Sequence, residues 1–234
     1  MDARKRAMMR IRSPRARPLL RRRAQSGFTM IEVLVTFVIL VVGLLGLIGL
    51  QARAQQAELE SYQRGQALIL LQDMVDRMNA NRIGSKSGNY LTTGLSPAYV
   101  GNAATSPTPL STCTAPTTPA TIATYDLCDW GNQLIGAAEV TASGTCTSTD
   151  GTNCIGAMLG ARGCVSYDAA TELLDSTGAV IPGTGIITIT VAWQGVAPTI
   201  APPAAITCAQ NAYPAETQRR VVTATLRMGS LTAQ

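Results

Sequence analysis

The sequence of 234 residues contains no histidine. That absence removes Ser-His-Asp and Cys-His nucleophile systems, and with them histidine-ligated metals. No GxGxxG and no P-loop pattern occurs, so no glycine-rich phosphate cradle is written into the chain. No two of the six cysteines stand at CxxC spacing, which speaks against a thiolate zinc site. Carboxylates remain, but Asp126 and Asp129 on a candidate helix and Asp150 in a loop lack the partner pattern of an acid–base pair. The expectation is a protein that is not an enzyme, with no catalytic residue, no metal and no cofactor. Charged residues make up only 14% of the chain and are unevenly spread, with none between Val33 and Leu50 and almost none in residues 84–120 after Lys86.

What is present begins with charge of one sign. Residues 1–27 hold ten Lys/Arg against one Asp, which leaves 9 basic and 13 acidic residues after Gly27. The net +5 of the whole chain therefore belongs to a basic leader, and the remainder is mildly acidic, so no nucleic-acid partner is expected. Pro14, Pro18 and the dense positive charge exclude residues 1–27 from a packed fold. Such a leader lies against an anionic inner leaflet, in a field worth about 1 kcal/mol per Lys or Arg.

The apolar run Val33 to Leu50 follows. At roughly 1.5 Å per residue its helix reaches about 27 Å, close to the hydrocarbon thickness of a bilayer. Arg21, Arg22 and Arg23 before it hold the N-terminus in the cytoplasm and send the chain after Leu50 across the membrane. Glu32 stands inside this apolar segment counted from Phe28, where burial costs about 3 kcal/mol on insertion scales. A cost of that size calls for a partner; the plainer alternative is a carboxylate that snorkels to the interface. Ala52-Arg53-Ala54 has the form of an ordinary signal-peptidase site, and Arg21-Arg22-Arg23 suggests a twin-arginine signal. The apolar run exceeds the roughly 7–15 residues of an ordinary signal.

Beyond the apolar run the helical pattern continues without proline through Gln51 to Arg82, with Leu68, Leu71, Val75 and Met78 on one face and Leu59 and Tyr62 earlier on a similar one. A helix from Phe28 to about Ala80 would be a rod of roughly 80 Å. Asp73, Asp76 and Arg77 read as its solvated face, and Asn79, Asn81 and Gly84 as its stop. Gly43, Gly46 and Gly49 read equally as close-packing positions and as a segment able to loosen. Residues 84–120 read as a long loop, followed by a short helix with Thr124 as N-cap, Asp126 in its first turn, and Leu127, Trp130 and Leu134 on one face. Trp130 reads as a core anchor, and Thr141 to Asn153 as loop.

Period-two alternation then marks strands at Gly163 to Tyr167, Gly185 to Gln194 and Arg219 to Met228, an antiparallel sheet with one buried face. Pro198, Pro202, Pro203 and Pro214 make the last connection long. All six cysteines follow the apolar segment, which points to disulfides in an oxidising compartment. Six cysteines allow many pairings, among which the sequence does not choose; the pairing taken as the expectation is Cys113–Cys128, Cys146–Cys154 and Cys164–Cys208.

Basic leader, Gly27-Phe28-Thr29-Met30-Ile31-Glu32 and about 18 apolar residues together resemble the class III signal of type IV prepilins and of type II secretion pseudopilins. The resemblance implies that a prepilin peptidase cleaves after Gly27 and N-methylates Phe28, and that Glu32 occupies the position of the family's assembly glutamate. It also implies an α+β pilin fold, a long N-terminal α-helix packed on a small C-terminal antiparallel sheet. The expected division is leader 1–27, membrane half of the helix 28–50, amphipathic half 51–83 and periplasmic domain 84–234.

Further similarity is to the PilV-type pilus modification family, carried by Gly-Leu-Leu-Gly-Leu-Ile-Gly-Leu-Gln at 43–51, Asp-Met-Val-Asp-Arg-Met-Asn-Ala-Asn-Arg at 73–82, Tyr-Asp-Leu-Cys-Asp-Trp at 125–130, Ile-Thr-Val-Ala-Trp-Gln-Gly at 189–195 and Arg219-Arg220. The long leader and Met30, where Leu is commoner, depart from that pattern. This similarity implies a minor pilin of the bacterial inner membrane that later enters a pilus and serves adhesion and twitching motility. Its implied partners are the inner membrane, the peptidase, other minor pilins, the major pilin and a large tip adhesin. A minor pseudopilin and an anchored, disulfide-stabilised binding protein unrelated to filaments are the alternatives.

Overall fold

A computed structural model of the chain describes residues 27–107, 110–137 and 158–229. The leader, the expected loop Thr141–Asn153 and the Cys146–Cys154 pair lie outside the described residues. Contacts divide the chain into two units, the first ending at Gly49 and the second beginning at Leu50.

The first unit is helical. Helix α1 (Met30–Ala80) begins here and carries the apolar run, a helix long and apolar enough to cross a membrane by length and composition. Its side chains from Met30 to Leu47 are exposed in the isolated chain. A Cβ built on Gly43, Gly46 or Gly49 meets nothing within 4 Å, so no close contact within the chain requires glycine at these positions.

The second unit, from Leu50 onward, packs the rest of α1 against a small sheet. Ala67, Leu71, Met74 and Met78, at i, i+4, i+7 and i+11, form the buried stripe. The expected face holds at Leu71, Met78 and the partly buried Val75 and is corrected elsewhere: Leu68 is 49% exposed, and Leu59 and Tyr62 are 54% and 55% exposed. Hydrophobic spacing alone admitted both stripes; Trp130 decided between them by pressing on α1 and donating its indole N–H to the Leu70 carbonyl at 2.9 Å. The helix stops at Asn81, whose side chain accepts from the Gly84 N–H and caps the short helix α2 (Arg82–Lys86) inside the expected loop.

A two-residue strand, β1 (Val100–Gly101), follows, then helix α3 (Pro119–Leu134). This helix starts earlier than Thr124. Thr118 caps it by accepting from the Thr121 N–H, Thr121 reciprocates at the Thr118 N–H, and Pro119 supplies a first-turn residue with preset φ. Asp126 consequently lies in mid-helix and is buried, not in the first turn.

Strands β2 (Arg162–Asp168), β5 (Ile186–Gln194) and β6 (Arg219–Arg227) join β1 in an antiparallel sheet ordered β1-β2-β5-β6. Between β2 and β5 lies the hairpin of β3 (Leu173–Leu174) and β4 (Val180–Ile181). Val165, Ile187, Ile189, Val191, Trp193 and Val222 face the core with α1 and α3. The other sheet face, expected to be solvated, is partly covered. The connection 195–218 folds back so that Cys208, Ala209 and Tyr213 pack on Cys164 and Ala192. Arg219, 1% exposed, ties that connection down through the Ile206 and Cys208 carbonyls at 2.9 and 3.1 Å and the Glu216 carboxylate at 2.6 Å. Among the described residues two disulfides brace the unit, Cys113–Cys128 from loop to α3 and Cys164–Cys208 from β2 to the connection.

At Gly163 a Cβ would lie 2.3 Å from two ring carbons of Trp130 and 2.8 Å from Leu134 Cδ1. Gly163→Ala is expected to destabilise the domain by about 2 kcal/mol, because the Trp130 ring is fully buried and has nowhere to go. Chemical denaturation of the full chain checks this, and unchanged stability would mean that the ring repacks at no cost.

Candidate functional site

The chemistry at the start of α1 is local. Thr29 is the residue before the helix, and the Glu32 N–H approaches its Oγ1 at 3.4 Å and its carbonyl at 3.1 Å, while the Val33 N–H reaches the same carbonyl at 3.3 Å. Thr29-Met30-Ile31-Glu32 thus has the T-x-x-E form of a capping box, with its carboxylate in the first turn where the helix dipole favours it. Gly27, Phe28 and Glu32 are all exposed, Phe28 at 82%. Within the chain the Phe28 nitrogen is a peptide nitrogen and carries no charge, so it forms no ion pair with Glu32.

A second constellation escaped the sequence reading. Arg77, taken there as solvated, gathers three carboxylates: Asp73 at 2.7 Å, Asp129 at 2.6 Å and Asp126 at 3.4 Å. The Tyr90 hydroxyl donates to Asp126, and the Asn81 amide donates to Tyr90 at 3.2 Å and to the Pro119 carbonyl at 2.7 Å. Gln133 donates to Asp129 at 2.8 Å. Burial opposes the charge on Arg77, but the hydrogen bonds it donates to Asp129 and Asp73 outweigh it and raise the guanidinium above its ordinary value. Burial, then the Asp126 bond, pushes the Tyr90 phenol up.

These groups lock α3 and the loop after α2 onto α1. Arg77 stands 49 and 52 residues from Asp126 and Asp129 in sequence, and only the i,i+4 pair Asp73–Arg77 was legible beforehand.

Two further clusters hold the sheet. Arg220 donates to Glu60 of α1 at 3.0 Å and to the Ala197 carbonyl at 2.5 Å. Arg162 lies between the rings of Tyr99 and Tyr213, 5.2 and 4.7 Å from their centroids. Burial pushes the Tyr213 phenol up to about 12, against the opposing pull of Arg162. Among the described residues, no group of three or more His, Cys, Asp or Glu is arranged to hold a metal ion.

Comparison with known proteins adds the deciding observation. Residues 22–48 match the family model of the prokaryotic N-terminal methylation motif, and residues 49–128 match that of the Tt1218-like family, described as type IV pilin Tt1218. The two matches together run over residues 22–128 and make this part of the chain similar to type IV pilins. No curated protein and no solved structure gives a match. The pilin match takes in Asp73, Arg77, Tyr90 and Asp126, hence most of the clamp between α1 and α3. The long apolar helix followed by a small antiparallel sheet agrees with the α+β pilin fold. Type IV pilins are structural proteins, and the methylation motif implies processing by a prepilin peptidase and incorporation beside other pilins. The motif and the apolar helix fit a membrane-anchored pilin.

Proposed function

We propose that this pilin is a minor subunit of the PilV kind, cleaved between Gly27 and Phe28 and methylated on Phe28, which helps initiate pilus assembly and supports display of a tip adhesin. The observation that carries the reading is the junction itself: the methylation motif ends at residue 48, the pilin match starts at residue 49, and one unbroken helix, Met30–Ala80, spans the join.

The mechanism is assembly. Cleavage converts the Phe28 nitrogen to an amine with an ordinary value near 7.7–8.0 and hence a cation at neutral pH. Glu32 of one subunit then faces the Phe28 ammonium of its neighbour in an apolar medium, where an unpaired charge is costly and attraction is strong. That pairing sets axial register. Before assembly the subunit crosses the inner membrane once, its basic N-terminus cytoplasmic and its disulfide-bearing domain periplasmic.

Mass spectrometry of the N-terminus of membrane-extracted mature protein tests the processing step. The expected species begins at methylated Phe28. An intact Met1, or a start at Gln55, overturns the reading. Gene deletion that abolishes pili while leaving secretion intact separates a pilus subunit from a minor pseudopilin of type II secretion.

A further inference from the structure

The outer face of the sheet holds a cleft that the assembly role does not use. Register sets Cys164, Thr190 and Thr223 in one row across β2, β5 and β6, and Ser166, Thr188 and Thr225 in the next. Residues 205–208, fastened by the Cys164–Cys208 bond, bound this face on one side. Residues 92–98 bound it on the other, joined to Val165 through the Thr92 backbone and hydroxyl. The space between is about 200 Å³.

Its lining includes no Asp, Glu, Lys or Arg, so a charged ligand would enter without a counter-ion, at high cost. What it offers is hydroxyls. Thr92 spends its hydroxyl on Val165, and Ser166 reaches the Thr188 carbonyl at 3.5 Å. Those of Thr93, Thr188, Thr190, Thr207 and Thr223 make no hydrogen bond with any described residue. Thr190 is the telling case. The residue is only 5% exposed, lines the cleft, and has a hydroxyl with no hydrogen-bond partner among the described residues. Valine has the same shape and suits a strand equally well, and would leave no hydroxyl to satisfy.

We propose that this cleft binds a neutral sugar ring. A threonine hydroxyl both donates and accepts, and several of them on a fixed lattice match a ligand that does both at several positions. The volume lies below the roughly 300–1,000 Å³ of drug-sized sites, which limits the ligand to one ring. The lining contains no aromatic residue to stack on the ring, so affinity is weak, with Kd on the order of 1 mM. The inference rests on this unit alone and is independent of the filament role.

The test is saturation-transfer NMR on the full mature chain in phosphatidylcholine nanodiscs, which carry no sugar headgroup. The probes are D-galactose, D-glucose and N-acetyl-D-glucosamine, with glycerol as control. Transfer to the ring protons of at least one sugar and not to glycerol is expected, reduced several-fold in Thr190→Val and in Thr223→Val, while melting temperature and N-terminal mass stay unchanged. Thr223 is exposed, so its variant keeps the test sound if Thr190→Val folds poorly. No transfer to any of the three sugars, transfer equal to glycerol, or transfer undiminished in both variants overturns the proposal. None of these outcomes bears on cleavage at Gly27.

Discussion

Replacing Arg77 by Met will destabilise the domain by about 3 kcal/mol, because removing one partner of a half-buried ionic cluster strands the others. Asp73, Asp126 and Asp129 all converge on this guanidinium, and Asp126 is only 8% exposed. Arg77→Lys should recover only part of the loss, since a single ammonium cannot reproduce a fork that contacts three carboxylates through Nε, Nη1 and Nη2. Urea denaturation of the full chain in a fixed detergent reads the difference. A double-mutant cycle with Asp129→Asn isolates the 2.6 Å contact. If Arg77→Met lies within about 0.5 kcal/mol of wild type, the cluster is a surface network with no net effect, as exposed ion pairs commonly are. The expected large value follows from position: the cluster joins α1 to α3, and α3 carries Trp130 against the fully buried Met74 and Met78 stripe.

Loss of the Cys164–Cys208 bond, as Cys164→Ala with Cys208→Ala, is expected to cost about 3 kcal/mol, since it releases a sequence separation of 44 residues in the unfolded chain. The folded domain should survive, because Arg219 still holds the Ile206 and Cys208 carbonyls and the Glu216 carboxylate. Hydrogen exchange is expected to rise over residues 205–213 while the β5–β6 pairing stays protected. Global unfolding at neutral pH would show that Arg219 and the second small core cannot seat the connection without the covalent bond. Burial on the outer sheet face depends on this connection, so the same variant should also expose Ala192.

Much of this protein could be read from its residues because the signals were local. An apolar run without charge specifies a helix of membrane length, whatever surrounds it. Gly27 to Glu32 after a basic leader is a contiguous pattern, and matching it requires no knowledge of the fold. Alternation at 186–194 and 219–227 writes strands because side chains in a strand point to opposite faces in turn. An even number of cysteines beyond the apolar segment already implied pairing.

What tertiary structure decided was every choice between local patterns of similar strength. Leu71 and Met78 of the expected face of α1 are buried, but packing against Trp130 and the sheet put Ala67 and Met74 beside them and left Leu68 outside. Asp126 and Asp129 appeared partnerless because their cation stands in another helix, and no periodicity reports a contact across 49 or 52 residues. The outer sheet face read as solvated because Thr188, Thr190 and Thr223 are polar; it took the return of a proline-rich connection to turn part of that face into an open cleft. Sequence by itself therefore determined the long apolar helix, the two long strands and the methylation motif, each set by neighbours in the chain. Only packing determined which faces meet, since burial energy is shared among residues that the chain order keeps apart.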